Sequence, residues 1–146
     1  MPKPYLHLHV HLVWSTWDRA PALVPNLRAP VHAAIAAHAR KLGCHRVDVG
    51  GVADHVHVLV SLPATVSVAD LVGQLKGVSS HLINAVLAPT LGFRWQGSYG
   101  AFTVGQTEYV AVRDYVNNQP AHHGEASINA DWEICAVSQP HDDGAS

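Results

Sequence analysis

The stretch Asp54-His-Val-His-Val-Leu-Val60 decides how this chain is to be read. Side chains two apart on a strand point to the same side. His55 and His57 therefore share one face of a strand, while Val56, Val58 and Val60 form its apolar other face. Two imidazoles placed in this way can share one divalent metal. The spacing alone is equally compatible with two structural histidines, because so short a motif has little specificity.

Working outward, Leu6 to Thr16 alternates with period two, with Leu6, Leu8, Val10 and Leu12 on one face and His7, His9 and His11 on the other. This pattern predicts a first strand. Leu27 to Leu42 is Ala-rich, carries an apolar stripe through Val31, Ile35 and Ala39, and stops at Gly43, as a helix with a glycine C-cap does. Cys44 to Val52 and His55 to Leu62 read as two strands joined tightly through residues 51–54. Ser67, with Asp70 three residues on, opens a second helix through Leu71, Leu75, Val78, Leu82 and Ile83 that ends near Pro89. Trp95 to Val104 is a fourth extended segment broken by Gly97 and Gly100. Thr107 is expected to cap a third helix running through Tyr115 to about Gln119, before Pro120.

That order predicts an α+β fold, a ferredoxin-like or RRM-like antiparallel sheet with an added C-terminal helix carrying Tyr115. In such a sheet the first and third strands are central neighbours, which brings His9 and His11 towards His55 and His57 if the registers agree. Residues 1–124 are read as one domain and 125–146 as a loosely attached acidic tail.

A chain of 146 residues that is 48% hydrophobic and 14% charged is globular rather than disordered. Its net charge of -2 conceals a division. All nine Lys and Arg fall in residues 1–120 with only six acids, a balance of +3, whereas the last 26 residues carry five acids and neither base. A mildly basic body is compatible with a phosphate backbone bound in a salt-sensitive way. Cys44 and Cys135 match no metal or redox spacing and read as core residues of a reducing compartment. With no stretch of about 18 uninterrupted apolar residues and no secretory leader pattern, a cytoplasmic protein without a membrane partner is expected.

Tyr115 and Gln119 stand four apart on one face of the third helix, and Tyr109, Val112 and Val116 on the adjoining face can anchor it to the sheet. A tyrosine beside a two-histidine metal site is the arrangement that attack on a phosphate requires, with the phenolate as nucleophile and the metal drawing charge from the phosphoryl group. Gln119 would complete three protein ligands, His55, His57 and Gln119. Magnesium or manganese in such a set, with one neutral oxygen and no carboxylate, should bind weakly without DNA.

Four blocks, His55-Val-His57, Leu75-Lys-Gly-Val-Ser-Ser80, Trp95-Gln-Gly-Ser-Tyr-Gly-Ala-Phe102 and Tyr115-Val-Asn-Asn-Gln119, occur together in order. Over roughly Leu8 to His123 the chain resembles the HUH single-tyrosine transposases, insertion-sequence TnpA-like and REP-associated. The resemblance implies a Mg2+- or Mn2+-dependent transposase that cleaves and rejoins single-stranded DNA at hairpin-marked ends. By it, Tyr115 forms a 5'-phosphotyrosine and leaves a 3'-hydroxyl that later attacks that bond, and no nucleotide cofactor is needed. His55, His57 and Gln119 match the family's metal ligands. The resemblance also implies a homodimer in which one subunit's tyrosine helix completes the other's site, with a monomer left open.

Lys76, Arg94 and Arg113 are candidate DNA contacts, and Trp95 and Tyr99 candidate base-stacking surfaces. Surface charge and packing are their ordinary alternatives. Tyr99 is also the rival nucleophile, but has no ligand at helical spacing. His7-Leu-His-Val-His-Leu-Val13 fits the pattern of histidine-triad nucleotide hydrolases, although there the motif lies near the domain's C-terminal end and here it opens the chain. His122 and His123 read as a pair in a last helical turn, where positive charge is favoured. Two competing functions follow: a catalytically degenerate or domesticated hairpin-DNA-binding protein, and a small His-rich metal-binding protein or nucleotide hydrolase.

Overall fold

The computed structural model describes residues 4–119. The acidic tail 125–146, the pair His122 and His123, and Cys135 lie outside the described residues. Among the described residues the elements follow the order β1 (His9–Ser15), α1 (Pro25–Lys41), β2 (His45–Gly51), β3 (His55–Ser61), α2 (Val68–Leu82), β4 (Gly100–Val104) and α3 (Tyr109–Asn117), with a 3-10 turn at Trp17–Arg19 and a π-helical turn at Ile83–Leu87. The described strands form one antiparallel sheet in the order β2-β3-β1-β4. This is the expected α+β architecture, with β1 and β3 at the centre.

The register between the central strands sorts the two faces. Leu12 lies opposite Val58 and Val10 opposite Val60, whereas Val13 lies opposite His57 and Ser15 opposite His55. Directly opposed residues share a face. Val10, Leu12, Trp14, Val56, Val58 and Val60 therefore point one way, into the main core with Val31 and Ile35 of α1 and Leu71 and Leu75 of α2. The other face carries His9, His11, His55 and His57, all buried. Against it packs α3, through a second, smaller cluster of Leu59, Val104, Tyr109, Val112 and Val116.

Local signals place most boundaries. Gly43, at φ +99°, ends α1 in the left-handed region that a side chain disfavours. Ser67 caps α2, its hydroxyl accepting from the Asp70 amide at 3.1 Å. Cys44 is buried in the core, and burial pushes its thiol pKa up.

Three boundaries differ from expectation, the first being that β1 begins only at His9, so that Leu6 and Leu8 precede the strand and are 39% and 45% exposed. Within Trp95–Val104 only Gly100–Val104 joins the ladder, and Trp95 makes an isolated bridge to Thr16. Between them the Lys76 ammonium donates to the carbonyls of Gln96 (2.7 Å) and Ser98 (2.9 Å), which holds that loop on α2 rather than on a strand. Thr107 does not cap α3. The helix begins after a turn in which the Glu108 amide donates to the Gly105 carbonyl at 3.0 Å, and Glu108 occupies the N-cap without a side-chain cap bond.

Candidate active site

Three imidazoles and a phenol meet on the face covered by α3. The rings of His55 and His57 lie 5.1 Å apart between centroids, and that of Tyr115 stands edge-on to His57 at 5.7 Å. Both histidines are fully buried and Tyr115 is 5% exposed. The pair is built by the strand alternation, and the tyrosine is brought to it by the α3 stripe of Tyr109, Val112 and Val116 that seats the helix on the sheet.

Each histidine of the pair is held at Nδ1. His55 Nδ1 donates to Asp54 Oδ1 at 2.8 Å, and His57 Nδ1 lies 2.7 Å from Nε2 of His11. Asp54 is held in turn by Arg19, whose Nε donates to Oδ2 at 3.1 Å and whose Nη2 lies 3.0 Å from the same oxygen. Above all the hydrogen bond from His55, and also the guanidinium, keep the Asp54 carboxyl below its ordinary pKa. Asp18 and Arg19 both take left-handed backbone conformations, φ 56° and 55°, in the turn that delivers this guanidinium.

Gln119 lies just past the end of α3, fully buried, and its amide nitrogen donates to the Tyr115 carbonyl at 3.1 Å. This bond fixes which end of the amide is nitrogen. A ring that donates its proton through Nδ1 has its lone pair on Nε2, the atom that could then ligate a metal. Two neutral Nε2 donors with one amide oxygen fit a divalent cation that keeps open positions. Among the described residues no group of three or more His, Cys, Asp or Glu is placed to hold a metal ion. Among the described residues, a third protein ligand beside His55 and His57 would therefore come from another residue type.

The remaining expected residues lie elsewhere. His9 bonds Ser61 Oγ at 2.6 Å and Gln106 Oε1 at 2.8 Å, so of the two N-terminal histidines expected near the pair only His11 reaches it. Lys76, Arg94 and Trp95 line an open groove of about 470 Å3 with Asn84 and Gln96, and neither histidine of the pair lines it. Burial lowers the Lys76 pKa to about 8. Trp95 is a packing residue, 9% exposed, set edge-on to Trp14 and Phe93, its indole donating to Ser79 Oγ at 2.9 Å. Tyr99 is half-buried against the main core. Arg113, on the tyrosine helix, pairs with Asp114 at 3.5 Å.

Sequence reasoning passed over three residues. Asp54 was signalled only by its place before His55. Arg19 carried no signal, because its reach depends on the left-handed turn. Among the described residues Trp17, 40% exposed with the Arg94 guanidinium 4.3 Å from its ring centroid, is the tryptophan that presents a ring to solvent, the role expected of Trp95.

The chain is similar to known proteins. Residues 5–119 match the family model described as Transposase IS200 like. The ISDra2 transposase TnpA of Deinococcus radiodurans is 27% identical over 118 residues, 77% of this chain and 84% of that protein. A crystal structure of a transposase from Deinococcus radiodurans superposes with a TM-score of 0.62 at 26% identity, covering 82% of this chain and 96% of the other. The REP-associated tyrosine transposase, solved bound to a REP hairpin, shares the fold at a TM-score of 0.61 and 15% identity, covering 90% of this chain and 78% of its own. With 115 consecutive residues spanned by the family model, and the same fold in solved transposases, this chain belongs to the IS200-like transposase family.

Proposed function

We propose that this transposase cleaves and rejoins single-stranded DNA at hairpin-marked ends, with Tyr115 as nucleophile. The observation that carries the reading is the phenol of Tyr115 set against the ring of His57, with His55 beside it, on a face buried under α3. The Tyr115 oxygen, giving up its proton, bonds to phosphorus, and the bond from phosphorus to the 3'-oxygen breaks. The products are a 5'-phosphotyrosine and a 3'-hydroxyl. In the return step a 3'-hydroxyl attacks that phosphorus, and Tyr115 regains its proton as it leaves. The bond energy is conserved, so no nucleotide cofactor enters.

His55 and His57 through Nε2, and Gln119 through its amide oxygen, would hold Mg2+ or Mn2+. Bound there, the cation supplies Lewis-acid polarisation of the phosphoryl oxygen. Asp54 and Arg19 keep the His55 ring in place, and α3 holds Tyr115 over the pair. Hairpin DNA is the ligand held in the solved structure of the REP-associated relative, and it is the substrate class proposed here. A homodimer is the proposed assembly. In the single chain Tyr115 already stands beside its own His57, so mixed Tyr115→Phe and His57→Ala subunits should complement each other only if helices exchange.

The test is incubation with single-stranded hairpin substrates and Mg2+ or Mn2+, followed by a search for a denaturant-resistant protein–DNA adduct. The adduct should vanish in Tyr115→Phe, with DNA binding kept, and persist in Tyr99→Phe. Binding without any adduct would establish the degenerate binding protein instead. Metal-dependent nucleotide hydrolysis without DNA binding would establish the nucleotide hydrolase.

A further inference from the structure

We infer that His11 is a positioning residue that sets the tautomer of His57 and so aims its Nε2 at the metal position. The inference rests on the reading of His55 and His57 as a metal pair. His11 comes from β1, where the register places it opposite Leu59, one step along the shared face from the Val13–His57 pair. Its ring meets that of His57 edge to edge, with centroids 4.9 Å apart and planes inclined by only 20°, as a hydrogen bond between two in-plane ring nitrogens requires. The rings of Phe102 at 6.0 Å and Tyr115 at 6.5 Å flank it from β4 and α3. His11 is therefore fixed from three elements.

The contact between His11 Nε2 and His57 Nδ1, at 2.7 Å, requires one proton between two ring nitrogens. A neutral imidazole has one N–H and one acceptor nitrogen. If the proton sits on His11 Nε2, the His57 proton sits on its own Nε2 and that atom cannot ligate. If it sits on His57 Nδ1, His57 Nε2 is the lone-pair nitrogen. Only the second assignment matches His55, whose Nδ1 donates to the Asp54 carboxylate. The two ligands are thus oriented by different means, one by an anion and one by a neutral ring.

That difference has chemical content. The ring nitrogen of a ligating histidine that does not face the metal carries a proton and needs an acceptor behind it, and a carboxylate is a common one. A second carboxylate here would place another negative charge on the face that has to receive a phosphate. His11 supplies the acceptor without the charge.

The test is NMR of the full chain, reading His57 ring tautomers from long-range 15N–1H correlations and adding Mn2+ alone as the metal probe. In the wild type His57 should be the Nδ1–H tautomer, and substoichiometric Mn2+ should broaden the His55 and His57 rings. His11→Leu should release His57 to the Nε2–H form and raise the Mn2+ needed for equal broadening about 10–100-fold. His11→Gln, which restores an acceptor oxygen, should recover both. A wild-type His57 found as Nε2–H, or a tautomer and Mn2+ response unchanged in folded His11→Leu, overturns the inference. A wild type with His57 as Nδ1–H but no Mn2+ effect at His55 or His57 overturns the metal pair instead.

Discussion

Gly50 lies so close beneath the backbone carbonyl of Val116 that no side chain fits between them. Gly50 pairs with His57 across β2 and β3, so the gap left by its missing side chain opens on the histidine face. The next residue towards the start of α3 from this contact is Tyr115. The depth at which the phenol stands over His57 is therefore set by a hydrogen atom on β2.

Gly50→Ala should lift α3, because the added methyl meets backbone and not the flexible end of a side chain. A stability loss of about 1–3 kcal/mol is expected from overpacking. Adduct formation should fall about a hundredfold, as small misplacements of a nucleophile do. Gly73→Ala, with open space around it in α2, is the control and should leave both unchanged or gain a little stability. Thermal melts and adduct time courses decide it, and equal rates for Gly50→Ala and wild type would refute the seating of α3 on this strand.

Asp54→Ala removes the acceptor from His55 Nδ1 and the anion from Arg19 together. The Mn2+ concentration for half-maximal adduct formation should rise about 10–100-fold. Asp54→Asn keeps an oxygen acceptor and should show a smaller rise. The same metal dependence in all three proteins would show that the carboxylate does not serve the pair.

The two tryptophans should separate packing from DNA contact. Trp95→Phe loses the indole bond to Ser79 and part of a buried ring, and should cost about 1–3 kcal/mol in denaturant unfolding with single-strand affinity unchanged. Trp17→Ala should do the reverse, leaving stability nearly intact and weakening binding by about 1–3 kcal/mol, the worth of one base stacked on an aromatic ring. Fluorescence-anisotropy titrations at fixed salt measure this, and an affinity loss confined to Trp95→Phe would invert the assignment.

His32 gives an acid-side signature. Burial first, and Arg28 second, lower its pKa from 6.5 to about 4 in the folded chain. The unfolded chain takes the proton first, so this residue's contribution is full above pH 6.5 and is lost as pH falls towards about 4. His32→Gln should remove of the order of 2 kcal/mol of the stability loss between pH 7 and pH 4.5. Urea midpoints at the two pH values provide the comparison, and parallel losses in both proteins would contradict the burial argument.

Much of this was legible in the residues, and the reasons divide cleanly. The strand alternation around His9 to Trp14 and His55 to Val60 carried the sheet and its two faces, because burial on one side imposes period two. Ser67 and Gly43 marked helix ends through local chemistry. What escaped depended on contacts distant in sequence. Lys76 holding the Gln96 and Ser98 carbonyls shortened the fourth strand, and no local pattern near residue 96 announces that ammonium. Likewise Arg19 reaches Asp54 across 35 positions through a left-handed turn that its own composition does not encode. The resemblance pointed to Tyr115 as the proposed nucleophile and to His55, His57 and Gln119 as the proposed ligands. That His11 would come towards His57 followed from the sheet order rather than from the resemblance, and the same order brought His9 no nearer than Ser61 and Gln106.

The tyrosine helix is held by a cluster of its own, Leu59, Val104, Tyr109, Val112 and Val116, apart from the main core under α1 and α2. Local opening costs follow the contacts actually broken. Detaching α3 breaks the smaller set and leaves the β1–β3 ladder and both long helices standing. The amides of α3 should therefore exchange with solvent well before those of β1 and β3, so the element bearing Tyr115 is thermodynamically separable from the platform bearing the histidines.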